Sequence, residues 1–168
     1  NAGIGTPPSF DFAMSNSGNV NVIQGQSVPN TITATLVSGT TQSTAFSVSG
    51  LPANATSSFS QTSCSPTCTT TLTITTAANT PVGSPTITVT GTAGAVIRTT
   101  TFTLTVNPQP FDFVMSNSGN VNVVQGQAVP NTITATLLSG ATQSTSFSVS
   151  GLPANATAGF SQTSCSPT

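Results

Sequence analysis

Hydrophobic and polar residues alternate with a period of two along much of this 168-residue chain. The segments 31–36, 71–75, 86–90 and 101–106 each place threonine at every second position, with Ile, Leu, Val, Ala or Phe between. Such alternation is typical of half-buried antiparallel strands, which turn one face to a core and the other to water. Threonine fits the wet face because its β-branched side chain favours the strand while its hydroxyl is solvated. No segment carries a helical stripe of apolar residues.

Gly, Pro, Asn and Ser clusters separate the alternating segments and predict turns. The predicted strands span 9–14, 19–23, 30–38, 43–49, 56–60, 69–76, 85–92 and 96–106. Seven or eight short strands within about 100 residues predict an all-β fold, a two-sheet antiparallel β-sandwich of immunoglobulin-like type. The predicted core is Phe12, Ile32, Leu36, Phe46, Val48, Phe59, Leu72, Ile74, Ile87, Val89, Phe102 and Leu104.

Residues 10–67 recur almost unchanged at residues 111–168. Eight of the 58 aligned pairs differ, which leaves 50 identical, and every difference exchanges apolar for apolar or small for small residues. We therefore predict a linker or end of a preceding unit at 1–9, one domain at 10–107, a Pro-containing linker at 108–110, and the N-terminal part of a second domain at 111–168. The expectation is a window on a longer array of such domains.

The charge content excludes several functions. Asp11, Asp112 and Arg98 are the only charged residues, and His, Lys and Glu are absent. Nucleic-acid binding needs clusters of Lys and Arg, so no nucleic-acid partner is expected. No apolar run approaches the roughly 20 residues that span a bilayer, so no membrane insertion is expected in this segment. Catalysis by acid–base or activated nucleophile needs His, Lys, Tyr or paired carboxylates, so we predict no enzyme activity, no catalytic residue and no cofactor.

The chain contains three cysteines, and aligning the two copies predicts two cysteine positions per repeat. Cys64 and Cys68 frame Cys-Ser-Pro-Thr-Cys, and Cys165 corresponds to Cys64, so its partner is expected beyond Thr168. This predicts a small disulfide loop in an oxidising compartment. Zinc is the alternative, but two sulfurs without His cannot fill a tetrahedral shell. Because the two cysteines of a copy are only four positions apart, we do not expect the inter-sheet cystine of antibody domains.

The remaining candidate sites are polar. Arg98 is expected to form an inter-strand or inter-domain ion pair with Asp11 or Asp112. A calcium site at these aspartates is the functional alternative, but one carboxylate per repeat falls short of six to eight oxygens. Asn54-Ala55-Thr56 and Asn155-Ala156-Thr157 are N-glycosylation sequons, and the Ser- and Thr-rich faces are candidates for O-linked sugars. Ice binding by the threonine rows is disfavoured because sandwich strands twist.

Several motifs along the repeat form a recognisable series. Phe-Asp-Phe is followed by Gln24-Gly25-Gln26, by Phe46–Pro52 (FSVSGLP), and by Pro81-Val82-Gly83-Ser84 leading into Ile87–Thr92 (ITVTGT). This series resembles the immunoglobulin-like repeats of secreted and cell-surface prokaryotic proteins. The resemblance implies stalks, adhesin spacers or modules appended to secreted hydrolases. The chain departs from the pattern at Pro85, where such repeats often have an aromatic residue, and it lacks the tyrosine of a tyrosine corner.

These observations predict a non-enzymatic, extracellular structural repeat, the body of a surface filament, sheath or stalk. Its expected partner is itself, either neighbouring repeats or other copies, through strand addition or edge pairing, because uncharged Thr-rich strands lack the lysines that block edges. The alternative is an adhesive, carbohydrate-binding or spacer module of a larger secreted protein. Sugar sites usually offer Trp or Tyr, and the chain has neither.

Overall fold

A computed structural model describes residues 5–168, which form two compact units divided between Pro108 and Gln109. Residues 1–4, part of the predicted segment 1–9, lie outside the described residues. None of the described residues is helical, and the fold is all-β, as predicted. We call the described residues up to Pro108, residues 5–108, unit 1 and Gln109–Thr168 unit 2.

Unit 1 contains nine strands that form two sheets. The strands are β1 (Asp11–Asn16), β2 (Val20–Ile23), β3 (Ser27–Ser38), β4 (Thr44–Ser49), β5 (Ala55–Phe59), β6 (Ser63–Cys64), β7 (Cys68–Thr76), β8 (Thr86–Ala93) and β9 (Val96–Asn107). One sheet has the order β1-β3-β7-β5 and the other the order β2-β9-β8-β4-β6. Eight strands lie within two or three residues of their predicted positions, and the two-residue β6 is additional.

The pairing is antiparallel except between β2 and β9, which run parallel. The parallel pair arises because the chain changes sheets between β1 and β2. Gly18 has a φ of 105° in this turn, a conformation that glycine adopts without strain. The Asn19 side-chain oxygen then accepts a hydrogen bond from the Thr103 backbone N–H at 2.9 Å, which fixes the turn against β9.

The core of unit 1 lies between the two sheets. One cluster joins Ile32, Leu72 and Ile74 of the first sheet to strands β2, β8 and β9 of the second, and a smaller cluster surrounds Phe10 and Phe12. Nine of the twelve predicted core residues are buried, while the other three, Leu36, Val48 and Phe59, are half-buried beside the clusters. The sheets therefore pack as a sandwich with its apolar faces inward.

Four threonines of unit 1 are buried, and all of them lie outside the alternating segments in which threonine is predicted on the wet face. These residues are Thr44, Thr70, Thr76 and Thr80. Their hydroxyls donate hydrogen bonds to backbone carbonyl oxygens near strand ends. Thr76 donates to Ile23 and Gln26, for example, and Thr80 donates to Asn54. Satisfying the hydroxyl removes most of the desolvation cost that would keep it at the surface.

Asn30 forms a second buried polar site, at 1% exposure. Its side-chain oxygen accepts hydrogen bonds from the Ser17 backbone N–H and hydroxyl, and its amide donates to the Gly18 carbonyl at 2.8 Å. Asn131 makes the same three bonds in unit 2, but at an exposed position.

We expect Asn30→Ala to lower the free energy of unfolding of unit 1 by about 1–3 kcal/mol, because it removes three hydrogen bonds made by a buried side chain. Asn131→Ala removes the same bonds where water can replace them, so its effect should stay within about 0.5 kcal/mol. Guanidinium unfolding followed by far-UV circular dichroism measures both. Equal effects of the two substitutions would contradict the role assigned to burial.

Unit 2 contains four strands in two two-stranded sheets. They are β10 (Asp112–Asn117), β11 (Ile133–Ser139), β12 (Thr145–Ser146) and β13 (Ser164–Cys165). β10 pairs with β11 in the register of β1 with β3, and β12 pairs with β13 in the register of β4 with β6. Residues 121–124 and 156–160 are not strands, although their counterparts in unit 1 are β2 and β5. The reason is that β2 pairs with β9 and β5 with β7, and residues 111–168 contain no counterparts of β7 to β9.

Candidate functional site

The cysteine loop joins the two sheets of unit 1. Cys64 ends β6 in the five-stranded sheet, and Cys68 begins β7 in the four-stranded sheet. A disulfide links them, with the two Cα atoms 6.2 Å apart. The disulfide therefore connects the two sheets, because the chain crosses from one sheet to the other within these five residues.

Hydrogen bonds hold the loop inside the disulfide. The Thr41 hydroxyl donates to the Pro66 carbonyl at 2.5 Å, and the Leu36 backbone N–H donates to the Thr67 hydroxyl at 3.1 Å. The two cysteines also pack beside the cluster around Phe12. The loop is thus a structural closure at one end of the sandwich.

We expect the double substitution Cys64→Ser and Cys68→Ser to destabilise unit 1 by about 2 kcal/mol, as loop-closure entropy predicts for a ring of roughly five residues. Thermal unfolding of the oxidised protein and of the double variant checks this value. Cys165→Ser is the matched control, because Cys165 forms no disulfide within the described chain, and it should leave the unfolding of unit 1 unchanged. A double variant as stable as the parent would contradict the closure role.

Arg98 and Asp11 form an ion pair across unit 1. The distance from Arg98 Nη2 to Asp11 Oδ1 is 2.7 Å, and the pair connects β9 with β1. The side chains are 45% and 35% exposed, so the pair contributes at most about 1 kcal/mol. Asp11 Oδ1 also accepts the Phe12 backbone N–H, and Asp112 Oδ1 accepts that of Phe113. Both aspartates therefore accept a hydrogen bond from the backbone N–H of the residue that follows them.

The two sequons lie in exposed turns. Asn54 and Asn155 have φ values of 61° and 65°, a left-handed conformation that asparagine tolerates better than most residues. A hydrogen bond closes each turn, from Ala55 to the Pro52 carbonyl and from Ala156 to the Pro153 carbonyl. Both asparagine side chains are exposed, and Asn54 Nδ2 also donates to the Asn79 carbonyl at 3.4 Å. This geometry leaves both amides accessible from solvent.

Residues 5–168 hold no group of three or more His, Cys, Asp or Glu side chains that could bind a metal ion. Within the same residues there is no helix with the length and hydropathy to cross a membrane.

The two edge strands of the four-stranded sheet in unit 1 differ in how well they are protected against pairing with another chain. β1, at one edge, carries Asp11 and a bulge between Asp11 and Phe12, two features that hinder pairing with another chain. β5, at the opposite edge of the same sheet, carries no charged residue. Phe12 is 1% exposed, so β1 belongs to the core of its own unit.

No known protein family matches the chain, and no curated protein sequence is similar to it. Among solved structures, domains 4 and 5 of the S-layer protein SbsC match with a TM-score of 0.43 and 23% identity over 59% of this chain and 53% of that one. Domains 4–9 of the surface layer protein SbsC match with a TM-score of 0.45 and 16% identity over 86% of this chain and 24% of that one. This chain thus spans about half of the first structure and about a quarter of the second.

Proposed function

We propose that this chain is a non-enzymatic structural repeat of an extracellular surface filament, sheath or stalk. The observation that carries the proposal is the near-identity of residues 10–67 and 111–168, with 50 of 58 positions the same. An enzyme or receptor usually needs one specialised site, whereas an assembly benefits from the number of equivalent units. The exchanges are also conservative, as expected when each copy must fold in the same way.

The strand order of unit 1 supports an immunoglobulin-like assignment within this proposal. In such sandwiches the first, second, fifth and fourth strands share a sheet, in the order A-B-E-D, and strands C, F and G form the other. If β1, β3, β4, β5, β7, β8 and β9 are taken as A to G, the sheets read A-B-E-D and G-F-C. β2 and β6 are then short additions at the edges of the second sheet.

The absence of catalytic function is part of the proposal and rests on the residue inventory. The chain has no His, Lys, Glu, Tyr or Trp, and its one arginine is paired with Asp11. No base is available to activate a serine or threonine hydroxyl. A disulfide, a surface of hydroxyls and amides, and accessible sequons all suit an extracellular location.

Glycans at the sequons are a separate proposal that native material can test. Mass spectrometry of material from the native host should find added sugar mass on the peptides containing Asn54 and Asn155. Asn54→Gln should abolish the modification at the first site and leave the second unchanged. Unmodified peptides at both sites would exclude N-linked sugars from the assembly.

Electron microscopy of the native secreted material, labelled with an antibody against this chain, tests the structural role. A domain of this kind is roughly 40 Å long, since a strand of about 10 residues rises about 3.3 Å per residue and loops add the rest. We expect labelled ordered arrays whose axial period is a small multiple of that length. Antibody pre-absorbed with the purified chain is the control. Isolated flexible strings would contradict a filament or sheath, and label confined to a dispersed secreted enzyme would favour the spacer alternative.

A further inference from the structure

Among the described residues, unit 1 has four edge strands, and β5 has the least protection against pairing with another strand. The edges are β1 and β5 in one sheet and β2 and β6 in the other. β1 carries Asp11 and a bulge, β2 has four residues, and β6 has two residues and ends at the Cys64–Cys68 disulfide. β5 has five residues, Ala55–Phe59, without charge or proline, and its register with β7 is regular. It is therefore the longest edge that lacks a feature known to hinder pairing.

The hydrogen-bond pattern of β5 shows which of its backbone groups point to the open side. Ser60, directly after β5, donates its backbone N–H to the Thr71 carbonyl of β7 at 2.9 Å. Because an antiparallel strand bonds to its neighbour through every second residue, Ser57 and Phe59 point their N–H and C=O groups away from β7. These four groups lie along the side of β5 on which no described strand pairs with it.

The side chains of β5 permit a close approach by another strand. Thr56 and Ser58 are exposed and small, so neither blocks the edge. Phe59 is half-buried, and the centroid of its ring lies 6.0 Å from that of Phe46. A strand added at this edge therefore covers apolar surface of Phe59 in addition to pairing the backbone groups.

The distribution of charge favours a second copy of this chain as the added strand. Asp11 and Arg98, the charged residues of unit 1, pair with each other, and Asp11 lies on β1 at the opposite edge of the sheet from β5. A charged partner thus finds no counter-charge on β5, whereas a second copy meets it without repulsion between like charges. Every copy presents the same strand, so the contact is self-complementary about a two-fold axis.

We propose that two copies of this chain pair through β5, antiparallel and about a two-fold axis, so that two four-stranded sheets join into one sheet of eight strands. The register that uses all four free groups places Ser57 of each copy opposite Phe59 of the other. Ser58 then lies opposite Ser58 of the second copy, on the axis. The pairing rests on the proposed structural function, because a filament or sheath needs a lateral contact between its chains.

A single contact of this kind is weak. Two five-residue strands cover much less than the roughly 1,200–2,000 Å² that stable interfaces bury. Tandem units change this, because one contact holds the next pair of edges at a high effective concentration. The segment 156–160, which corresponds to β5 in the second copy of the repeat, is also free of charge and of proline. The strength of lateral pairing therefore depends on the number of repeats.

Cysteine cross-linking of the full chain tests the pairing. In a Cys165→Ser background, Ser58→Cys puts two thiols across the axis, where opposite residues of a non-hydrogen-bonded pair have Cα atoms about 4.5 Å apart, within the span of a disulfide. With oxidised glutathione as the oxidant, we expect a covalent dimer joined through the two introduced thiols, located by mass spectrometry. Ala13→Cys, at an exposed position of β1, is the matched control and should cross-link at least about tenfold more slowly.

A charge on the edge should block the pairing. Thr56→Lys adds a lysine to the exposed face of β5 and should slow the cross-linking of Ser58→Cys at least about fivefold. Thr35→Lys adds the same charge to the exposed face of β3, an inner strand of the same sheet, and should slow it less than about twofold. The two variants have the same net charge, so a difference between them cannot come from general repulsion.

Hydrogen exchange tests the same contact without a substitution on the edge. The backbone N–H groups of Ser57 and Phe59 face solvent in the single chain and are hydrogen-bonded in the pair. Their exchange in the Cys165→Ser chain should slow at least about twofold between dilute and concentrated protein. The amides of β2, another edge strand of unit 1, should exchange at the same rate at both concentrations.

Three outcomes would overturn the proposal. They are equal cross-linking rates for Ser58→Cys and Ala13→Cys, equal effects of Thr56→Lys and Thr35→Lys, and exchange in β5 that does not depend on concentration. Preferred cross-linking at Ser58 together with unordered native material in the electron microscope would keep the edge contact and reject the filament. Ordered arrays without that preference would keep the structural role and reject β5 as the contact.

Discussion

Replacing Leu72 with alanine should lower the free energy of unfolding of unit 1 by about 2–5 kcal/mol. Leu72 lies in the middle of β7 and is fully buried. Its strand pairs with β3 on one side and β5 on the other, and its side chain packs with residues of both sheets. Because the surrounding strands are held by backbone ladders, the site cannot collapse to fill the space, and the loss includes a cavity as well as buried area.

Val37→Ala is the control for this truncation. Val37 lies in β3 of the same unit but is 60% exposed, so the change should stay within about 0.5 kcal/mol. Guanidinium unfolding followed by far-UV circular dichroism suits a protein without Trp or Tyr. A Leu72→Ala variant as stable as Val37→Ala would show that β7 is not a central strand of the sandwich.

The period-two pattern and the turn signals between segments together predicted most strands of unit 1, because each half-buried strand carries its own local signal. β6 was missed because two residues carry no periodicity, and it becomes a strand only by pairing with Thr44 and Ala45 of β4. The parallel pairing of β2 was missed for a related reason. Which neighbour a strand chooses depends on where the chain changes sheets, and local alternation does not encode that.

The repeat shows most directly that local sequence alone does not determine which segments form strands. Val20-Asn21-Val22 is a strand in unit 1, and the identical Val121-Asn122-Val123 is not a strand in unit 2. Val20–Val22 pair with β9, a non-local partner that has no counterpart in residues 111–168. The same dependence explains the candidate sites. Spacing predicted the Cys64–Cys68 loop, but its position between two sheets follows from the partners that β6 and β7 find.

A second large effect is expected at Gly39, where backbone segments meet. Gly39 has a φ of 74°, and a Cβ added there would lie 2.6 Å from the Phe10 backbone nitrogen. The turn cannot move away easily, because the Ser38 hydroxyl donates to the Ser9 carbonyl at 2.7 Å. Gly140 meets Pro110 and Phe111 in the same way, so both copies need a glycine here.

Gly39→Ala should therefore destabilise unit 1 by about 2–4 kcal/mol, combining a left-handed conformation with a clash against backbone. Gly94→Ala separates the two causes. Gly94 also has a positive φ, of 58°, but the nearest atom to an added Cβ is a Gln42 side-chain oxygen at 3.9 Å. Its cost should be only the conformational part, about 1 kcal/mol. Equal losses in denaturant unfolding would mean that the segment just before β1 shifts freely, and would contradict the close approach of the Phe10 backbone to this turn.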